Sequence, residues 1–116
     1  MEKRYYDEMP QAVETVMGAG VMITVLRFDI TEGGSEQGAW ECDELEYAHT
    51  QPLTEKDYGP LVSAIIRGRY TADDMEALLN NYVSSKTAEH KSEWQQMQAW
   101  RATAKQVARE VISGVE

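Results

Sequence analysis

The stretch Val21-Met-Ile-Thr-Val-Leu-Arg-Phe-Asp-Ile30 decides the fold class. It is rich in β-branched and apolar residues, and its polarity changes with a period of two, as in a strand. The even positions are mostly apolar, whereas Arg27 and Asp29 make two odd positions polar. We therefore predict a β-strand with one face buried throughout and the other buried only at its start. The apolar even positions are Met22, Leu26, Phe28 and Ile30.

This strand is predicted to be the first strand of a β-hairpin. Residues 31–38 are a glycine-rich connection, and residues 39–48 return as a second strand. Such a hairpin is marginal alone and presents two unpaired edges. We expect these edges to be covered by helices, guarded by charge, or paired with another chain.

The second strand has apolar residues of both parities. Trp40 and Cys42 share one face, but Leu45 and Tyr47 have the opposite parity. A β-bulge lets one strand change the direction of its side chains. We therefore predict a bulge at Asp43 and Glu44.

The segment before the hairpin has helical spacing. Its apolar residues recur at i, i+3, i+4, i+7 and i+8, with Pro10 near the first turn and Gly18 placed as a C-cap. We predict a short N-terminal amphipathic helix. The apolar residues are Met9, Ala12, Val13, Val16 and Met17.

Three further helices are predicted after the hairpin. The first starts at Pro60, with the preceding glycine as its cap, because proline is not tolerated inside a helix. The second has Thr71 as N-cap and Asp74 three residues later, a variant of the capping box. The third runs from about residue 88 to residue 112 and ends at Gly114.

The element order α-β-β-α-α-α predicts an α+β fold, with the three last helices packed on the hairpin. A chain of 116 residues is the size of a single domain, here 1–116. We divide it into an acidic part, 1–50, with the first helix and the hairpin, and a charge-neutral helical part, 51–116. Residues 1–60 hold thirteen acidic and four basic residues, whereas residues 61–116 hold seven of each.

Composition excludes several classes of function. A net charge of −9 disfavours binding to a phosphate backbone, so no nucleic-acid partner is expected. The chain has no apolar run long enough for a membrane span, and its start lacks the pattern of a signal peptide, so we expect a cytoplasmic protein and no membrane partner. The one cysteine, Cys42, excludes an intrachain disulfide and a cysteine-based zinc site.

The densest cluster of candidate metal ligands lies in the second strand. Strand alternation puts Glu41 and Asp43 on one face and Glu44 and Glu46 on the other, so the four carboxylates do not converge unless the bulge redirects one of them. We interpret them as a charged strand that opposes aggregation. A second candidate pairs Cys42 with His49 as thiol and base, but Cys42 shares the face of Trp40 and is better interpreted as a core residue. We expect no metal, no cofactor and no enzymatic activity.

Two patterns on the last helix suggest protein contacts. Arg101, Lys105 and Arg109 are spaced i, i+4 and i+8, without an acidic residue four positions away. This stripe is either a solvated face or a surface that docks against acidic groups and weakens with salt. Trp94 and Trp100 lie on the apolar stripe of the same helix, where they either pack into the core or form an interface.

Five segments of the chain together carry a resemblance. They are Tyr5-Tyr6-Asp7, Trp40-x-Cys42, Val62-Ser-Ala-Ile-Ile-Arg67, Tyr70-Thr-Ala-Asp-Asp74 and Gln98-Ala-Trp-Arg101. In these segments the chain resembles small proteins encoded among the tail genes of bacteriophages and prophages. The resemblance implies a role in virion assembly or tail structure, and it carries no active site.

We therefore expect a non-enzymatic structural or assembly module that binds a protein partner or a second copy of itself. The alternative is a small regulatory or ligand-binding domain, with a pocket between hairpin and helices lined by Trp40, Phe28 and Tyr47. The predicted interface residues are Glu41, Asp43, Leu45, Tyr47, Trp94, Trp100, Arg101, Lys105 and Arg109.

Overall fold

A computed structural model describes residues 1–114 and divides the chain into two compact units. Met1–Thr54 is the sheet unit, and Glu55–Ser113 is the helical unit. The predicted α+β class is confirmed, because an antiparallel sheet is followed by helices.

The sheet unit is one four-stranded antiparallel sheet in the order β1-β4-β3-β2. Strands β2, β3 and β4 follow one another through tight turns, and β1 lies on the outer side of β4. This is the order of a Greek key read in the reverse chain direction. The connection at residues 7–12 therefore leads from one edge of the sheet to the other. The strands are β1 (Glu2–Tyr6), β2 (Val13–Gly18), β3 (Val21–Ser35) and β4 (Gly38–His49).

The predicted N-terminal helix is wrong. The chain starts with β1, and residues 13–18 of the predicted helix form β2, in register with β3 from Val13 opposite Leu26 to Gly18 opposite Val21. Three of the first four β2 residues, Val13, Thr15 and Val16, are β-branched and suit a strand. The apolar spacing was short enough to fit either structure, and pairing with β3 decides between them.

The predicted hairpin exists, but its strands are longer and lie in the middle of the sheet. Strand β3 continues to Ser35, so the predicted connection at 31–38 is wrong and only residues 36–37 separate β3 from β4. Both strands of the hairpin are central strands, so the prediction that the hairpin has two unpaired edges is also wrong.

The predicted bulge in β4 is wrong as well. The pairs Arg27–Glu44 and Phe28–Asp43 are in continuous register, and the extra residue lies in β3 between Phe28 and Thr31. There Asp29 has a φ of 53°, the left-handed conformation found at one type of bulge. Strand β4 keeps its alternation because apolar residues are accepted on both of its faces.

The turn between β2 and β3 consists of Ala19 and Gly20. Both have positive φ, 52° and 78°. Two positive φ angles are typical of the tight hairpin turn whose twist matches that of its strands. The predicted role of Gly18 as a helix C-cap is wrong, because Gly18 is the last residue of β2.

The helical unit begins with a 3-10 turn, Glu55–Asp57, and continues with α1 (Tyr58–Arg67), α2 (Ala72–Ser84) and α3 (Ala88–Ser113). Helices α1 and α2 both pack against the long helix α3. Helix α1 starts two residues before the predicted Pro60, because a proline in the first turn removes an N–H that has no helical partner.

The capping box of α2 is confirmed. The Asp74 backbone N–H donates to Thr71 Oγ1 at 3.0 Å, and the Thr71 N–H donates to Asp74 Oδ2 at 2.9 Å. Hydrogen bonds that the Asp74 carboxylate accepts from the Thr71 backbone and side chain lower the pKa of Asp74. The predicted extent of α3 is also confirmed, and Gly114 follows it with a φ of 80°.

Helices α1 and α3 build the core of the helical unit. Leu61 and Ile65 from α1 and Met97 and Ala104 from α3 are fully or almost fully buried. Trp100 is 7% exposed, and its Nε1–H donates to the Ile65 carbonyl at 3.1 Å. The structure therefore places Trp100 in the core.

No helix within residues 1–114 combines the length and the apolar character that crossing a membrane requires.

Candidate functional site

The predicted interface residues of β4 lie on one face of a central strand. From residue 41 to residue 47, every second position of β4 is occupied by one of them: Glu41, Asp43, Leu45 and Tyr47. Strand β1 pairs with β4 only as far as Glu44. Glu41 and Asp43 are therefore flanked by strands on both sides. Leu45 and Tyr47 pair with β3 alone, so this part of β4 has one side without a β1 partner.

The acidic residues of β4 do not converge on one face of the sheet. The predicted alternation is confirmed, because Glu44 and Glu46 lie on the face opposite Glu41 and Asp43. Within residues 1–114, no group of three His, Cys, Asp or Glu side chains is placed to hold a metal ion.

Cys42 and His49 lie on opposite faces of β4. The Cys42 side chain is fully buried, and burial, together with the nearby Glu44 carboxylate, raises the pKa of the thiol. The His49 ring is hydrogen-bonded with Thr24 Oγ1 at 2.8 Å and with the Gln51 carbonyl at 2.7 Å. A thiol–imidazole pair is therefore not formed.

The pocket of the alternative interpretation is not formed by the three residues predicted to line it. Phe28 lies opposite Asp43, on the same face of the sheet as Tyr47. Trp40 shares the other face with Cys42. The regular alternation of β4 thus separates Trp40 from the other two.

A buried charge cluster around Arg27 was missed by the sequence analysis. Arg27 was expected to start a polar face, yet it is only 9% exposed. Its Nε donates to Glu44 Oε1 at 2.8 Å, and one terminal nitrogen pairs with Glu14. The Tyr6 hydroxyl donates to the same Glu44 carboxylate, and the Arg27 guanidinium lies 5.0 Å from the centre of the Tyr6 ring.

Arg27 also holds the connection that crosses the sheet. Its backbone N–H donates to the Ala12 carbonyl, and a terminal nitrogen donates to the Gln11 carbonyl, both at 2.8 Å. One side chain therefore joins β1, β2, β4 and the connection at residues 7–12. The only signal in the sequence was a lone arginine inside an apolar strand.

The Arg27 cluster stays ionised because its charges compensate one another. Burial alone would favour neutral Glu44, but hydrogen bonds from Tyr6 and Arg27 outweigh it and lower the pKa of Glu44. Burial also opposes the charge of Arg27, and hydrogen bonds to Glu14 and Glu44 raise its pKa nevertheless. The cluster supports the strand order, because its members come from β1, β2, β3 and β4.

The two edges of the sheet have different chemistry. The β1 edge is charged, with a Lys3–Asp43 ion pair at 3.3 Å and an Arg4–Glu2 ion pair at 2.6 Å. On β2, Val16 is 51% exposed and Met17 is 71% exposed. Charged residues protect edge strands against pairing with other chains, and exposed apolar residues do not.

The aromatic residues of α3 pack within the helical unit. The Trp94 ring stacks on Tyr82 of α2, with ring centres 5.2 Å apart and a 14° angle between the planes. The Arg69 guanidinium lies 3.9 Å from the centre of the Trp100 ring. Both tryptophans have partners inside the unit.

The basic stripe of α3 divides into two parts. The Arg109 guanidinium lies 4.7 Å from the centre of the Tyr58 ring. Arg101 and Lys105 instead line a groove of about 360 Å³ in the helical unit, together with Arg67 of α1. The rest of its lining is mainly apolar: Tyr58, Gly59, Val62, Ser63, Ile66 and Met75.

Comparison with family models, curated proteins and solved structures gives no match for this chain.

Proposed function

We propose that this chain is a non-enzymatic assembly module that acts through protein–protein contacts, and that its β2 edge pairs with β2 of a second copy. The observation that carries the proposal is the exposed apolar character of this edge at Val16 and Met17. The opposite edge of the sheet, β1, is instead protected by charged side chains. Strand addition at an open edge supplies backbone hydrogen bonds, and the side chains supply specificity.

The sequence of β2 is compatible with antiparallel pairing to itself. A two-fold axis at Thr15 would place Val13 opposite Met17 of the second copy on one face of the sheet. On the other face, Glu14 would lie opposite Val16. No like charges would then face each other, and like charges directly opposite are what destabilises strand pairs. Glu14 already has its ion pair with Arg27.

The resemblance to proteins encoded among phage and prophage tail genes supports the same class of function. Virion assembly and tail structure depend on contacts between protein subunits. We include a setting of this kind in the proposal, and the β2 edge is the surface through which the chain would take part in it.

The test is the mass in solution of wild type and Val16→Glu, measured by light scattering after size exclusion. We expect wild type at twice the 13.1 kDa of one chain. We expect Val16→Glu at one chain, because the new glutamate would lie opposite Glu14 of the second copy, and like charges directly opposite destabilise strand pairs. Val83→Glu is the matched control, since Val83 is a 64% exposed valine on α2. It should keep the mass of the wild type.

Two results would contradict the proposal. One is a wild-type mass of a single chain at high protein concentration. The other is an unchanged double mass in Val16→Glu, with a thermal melt showing that the variant is folded.

A further inference from the structure

A groove in the helical unit combines apolar side chains with three basic ones. Val62 and Ile66 of α1 and Met75 of α2 give it apolar lining, and Arg67, Arg101 and Lys105 contribute the charges. The basic groups come from two helices that pack against each other, so they are held around one space. We call this space the α1–α3 groove.

The basic groups of the α1–α3 groove have no acidic partner within the described residues, 1–114. Among residues 1–114, no carboxylate oxygen lies within 4.0 Å of the charged nitrogens of Arg67, Arg101 or Lys105. No acidic side chain lines the groove in this part of the structure. The groove is therefore a local concentration of positive charge on a chain whose net charge is −9.

We infer that the α1–α3 groove binds an acidic peptide segment that carries a large apolar side chain, supplied by a partner protein. The apolar side chain would cover Val62, Ile66 and Met75, and its carboxylates would pair with the basic groups. Arginine forms bidentate hydrogen bonds with carboxylates, and clusters of arginine and lysine are a recurrent way to bind acidic segments. This inference does not depend on pairing at β2.

The chemistry of the groove favours a peptide over a nucleic acid. Binding to a phosphate backbone depends on many basic groups that displace counterions, and the groove supplies three. Its apolar lining would gain nothing from a phosphate. An acidic segment with an apolar side chain satisfies both the lining and the charges.

The experiment measures fluorescence anisotropy of a labelled peptide with three glutamate–leucine repeats, titrated with the full chain. We expect saturable binding that weakens with salt, because the carboxylates are screened. Lys105→Glu should weaken binding by about tenfold, a typical result of reversing one charge in a small site. Lys91→Glu is the matched control, an exposed lysine on the same helix that does not line the groove, and it should bind as the wild type does.

Two further probes separate the contributions. A peptide with glutamine in place of glutamate should bind more weakly, because it keeps the apolar side chains but loses the charges. A peptide of glutamate alone should also bind more weakly, because it leaves the apolar lining exposed. Amide chemical-shift changes on adding the first peptide should centre on α1 and α3.

Three results would overturn the inference. They are the absence of peptide binding at low salt, an equal loss in Lys105→Glu and Lys91→Glu, and tighter binding of a ten-residue thymidine oligonucleotide than of the peptide. The solution mass of Lys105→Glu is measured in parallel. If β2 pairing fails while the peptide binds, only the proposed self-assembly is contradicted.

Discussion

Arg27 shows how one side chain can organise a small sheet. A buried guanidinium is stabilised only when hydrogen bonds and opposite charges surround it. Here the partners come from β2, from β4 and from the connection at residues 7–12. The cluster therefore ties together segments that are far apart in the sequence, and it favours the one strand order in which they meet.

The Arg27 cluster makes stability depend on pH. The lowered pKa of Glu44 means that its stabilising contribution is complete above about pH 4.3, the ordinary glutamate value, and is lost as the pH falls through the lowered value. We expect Glu44→Gln to be less stable than wild type at pH 7, with a difference that shrinks as the pH falls below about 4. Urea unfolding at a series of pH values measures this difference.

The control for Glu44→Gln is Glu46→Gln, an exposed glutamate two residues later on the same face. It should change stability little at any pH. If the difference in unfolding free energy between Glu44→Gln and wild type were the same at every pH from 7 to 3, the conclusion that Glu44 is ionised in the cluster would be contradicted.

Gly38 is required by close backbone packing. A Cβ at this position would lie 2.8 Å from the Tyr6 carbonyl oxygen and 2.9 Å from the Tyr6 nitrogen. We expect Gly38→Ala to destabilise the fold by about 1–3 kcal/mol, the usual range for overpacking, because a backbone cannot move aside as a side chain can. Thermal unfolding checks this.

Gly33→Ala is the comparison for Gly38→Ala. Its Cβ would meet only the Glu41 side chain, at 3.4 Å or more, and that side chain can shift. Gly33→Ala should therefore unfold near the wild-type temperature. Equal losses in both variants would show that the approach of Tyr6 to Gly38 is not the cause.

Residue-level prediction from the sequence succeeded where the signal was local. The Thr71–Asp74 capping box depends on residues three apart, and it is present as predicted. Arg27 could not be interpreted in the same way, because its partners Glu14 and Glu44 are 13 and 17 residues away. Only the strand register brings them together.

The same distinction holds for whole elements. Helices α2 and α3 were predicted because helical hydrogen bonds are local and the apolar spacing continues over several turns. Strand β2 was predicted as a helix, since its spacing covers little more than two turns and its pairing with β3 is a tertiary interaction. The stripe on α3 left open whether Trp100 lies in the core or at an interface, and the structure places it in the core. The open edge of the sheet could not be located before the strand order was known.

The conformation of the β2–β3 turn predicts a substitution that stabilises the fold. Ala19 has a φ of 52°, which disfavours an alanine, and asparagine tolerates this conformation better. We expect Ala19→Asn to stabilise the fold by about 0.5–1 kcal/mol, since Asn-Gly is a preferred sequence for this turn. Thermal melts of Ala19→Asn and Ala19→Val should move in opposite directions from wild type. A higher melting temperature for Ala19→Val than for wild type would contradict the left-handed conformation assigned to residue 19.

Helix α3 depends on Trp100 more than on Trp94. Trp100 is buried and hydrogen-bonded to Ile65, whereas Trp94 is half-buried and stacks on Tyr82. We expect Trp100→Ala to cost about 3–5 kcal/mol of unfolding free energy, and Trp94→Ala to cost less. Denaturant titration followed by circular dichroism measures both. A smaller loss for Trp100→Ala than for Trp94→Ala would contradict the assigned core.

At the scale of the whole molecule, self-association should be visible in thermal stability. A pair that forms only from folded chains raises the melting temperature as the protein concentration rises. We expect such a rise for wild type and none for Val16→Glu. Because the contacts of Val16 and Met17 are apolar, the rise should persist in salt of about 1 M, where interactions between exposed charges are screened. A rise that disappears in salt would instead implicate charged surfaces.

The unequal edges of the sheet also set a limit on growth. In the proposed pair, the apolar β2 edges of both chains would be covered by each other. The outer flanks of the joined sheet would be the charged β1 strands and the short part of β4 that extends past them. We therefore expect self-association through the sheet to stop at two chains, because a third chain would find no second β2 edge to pair with.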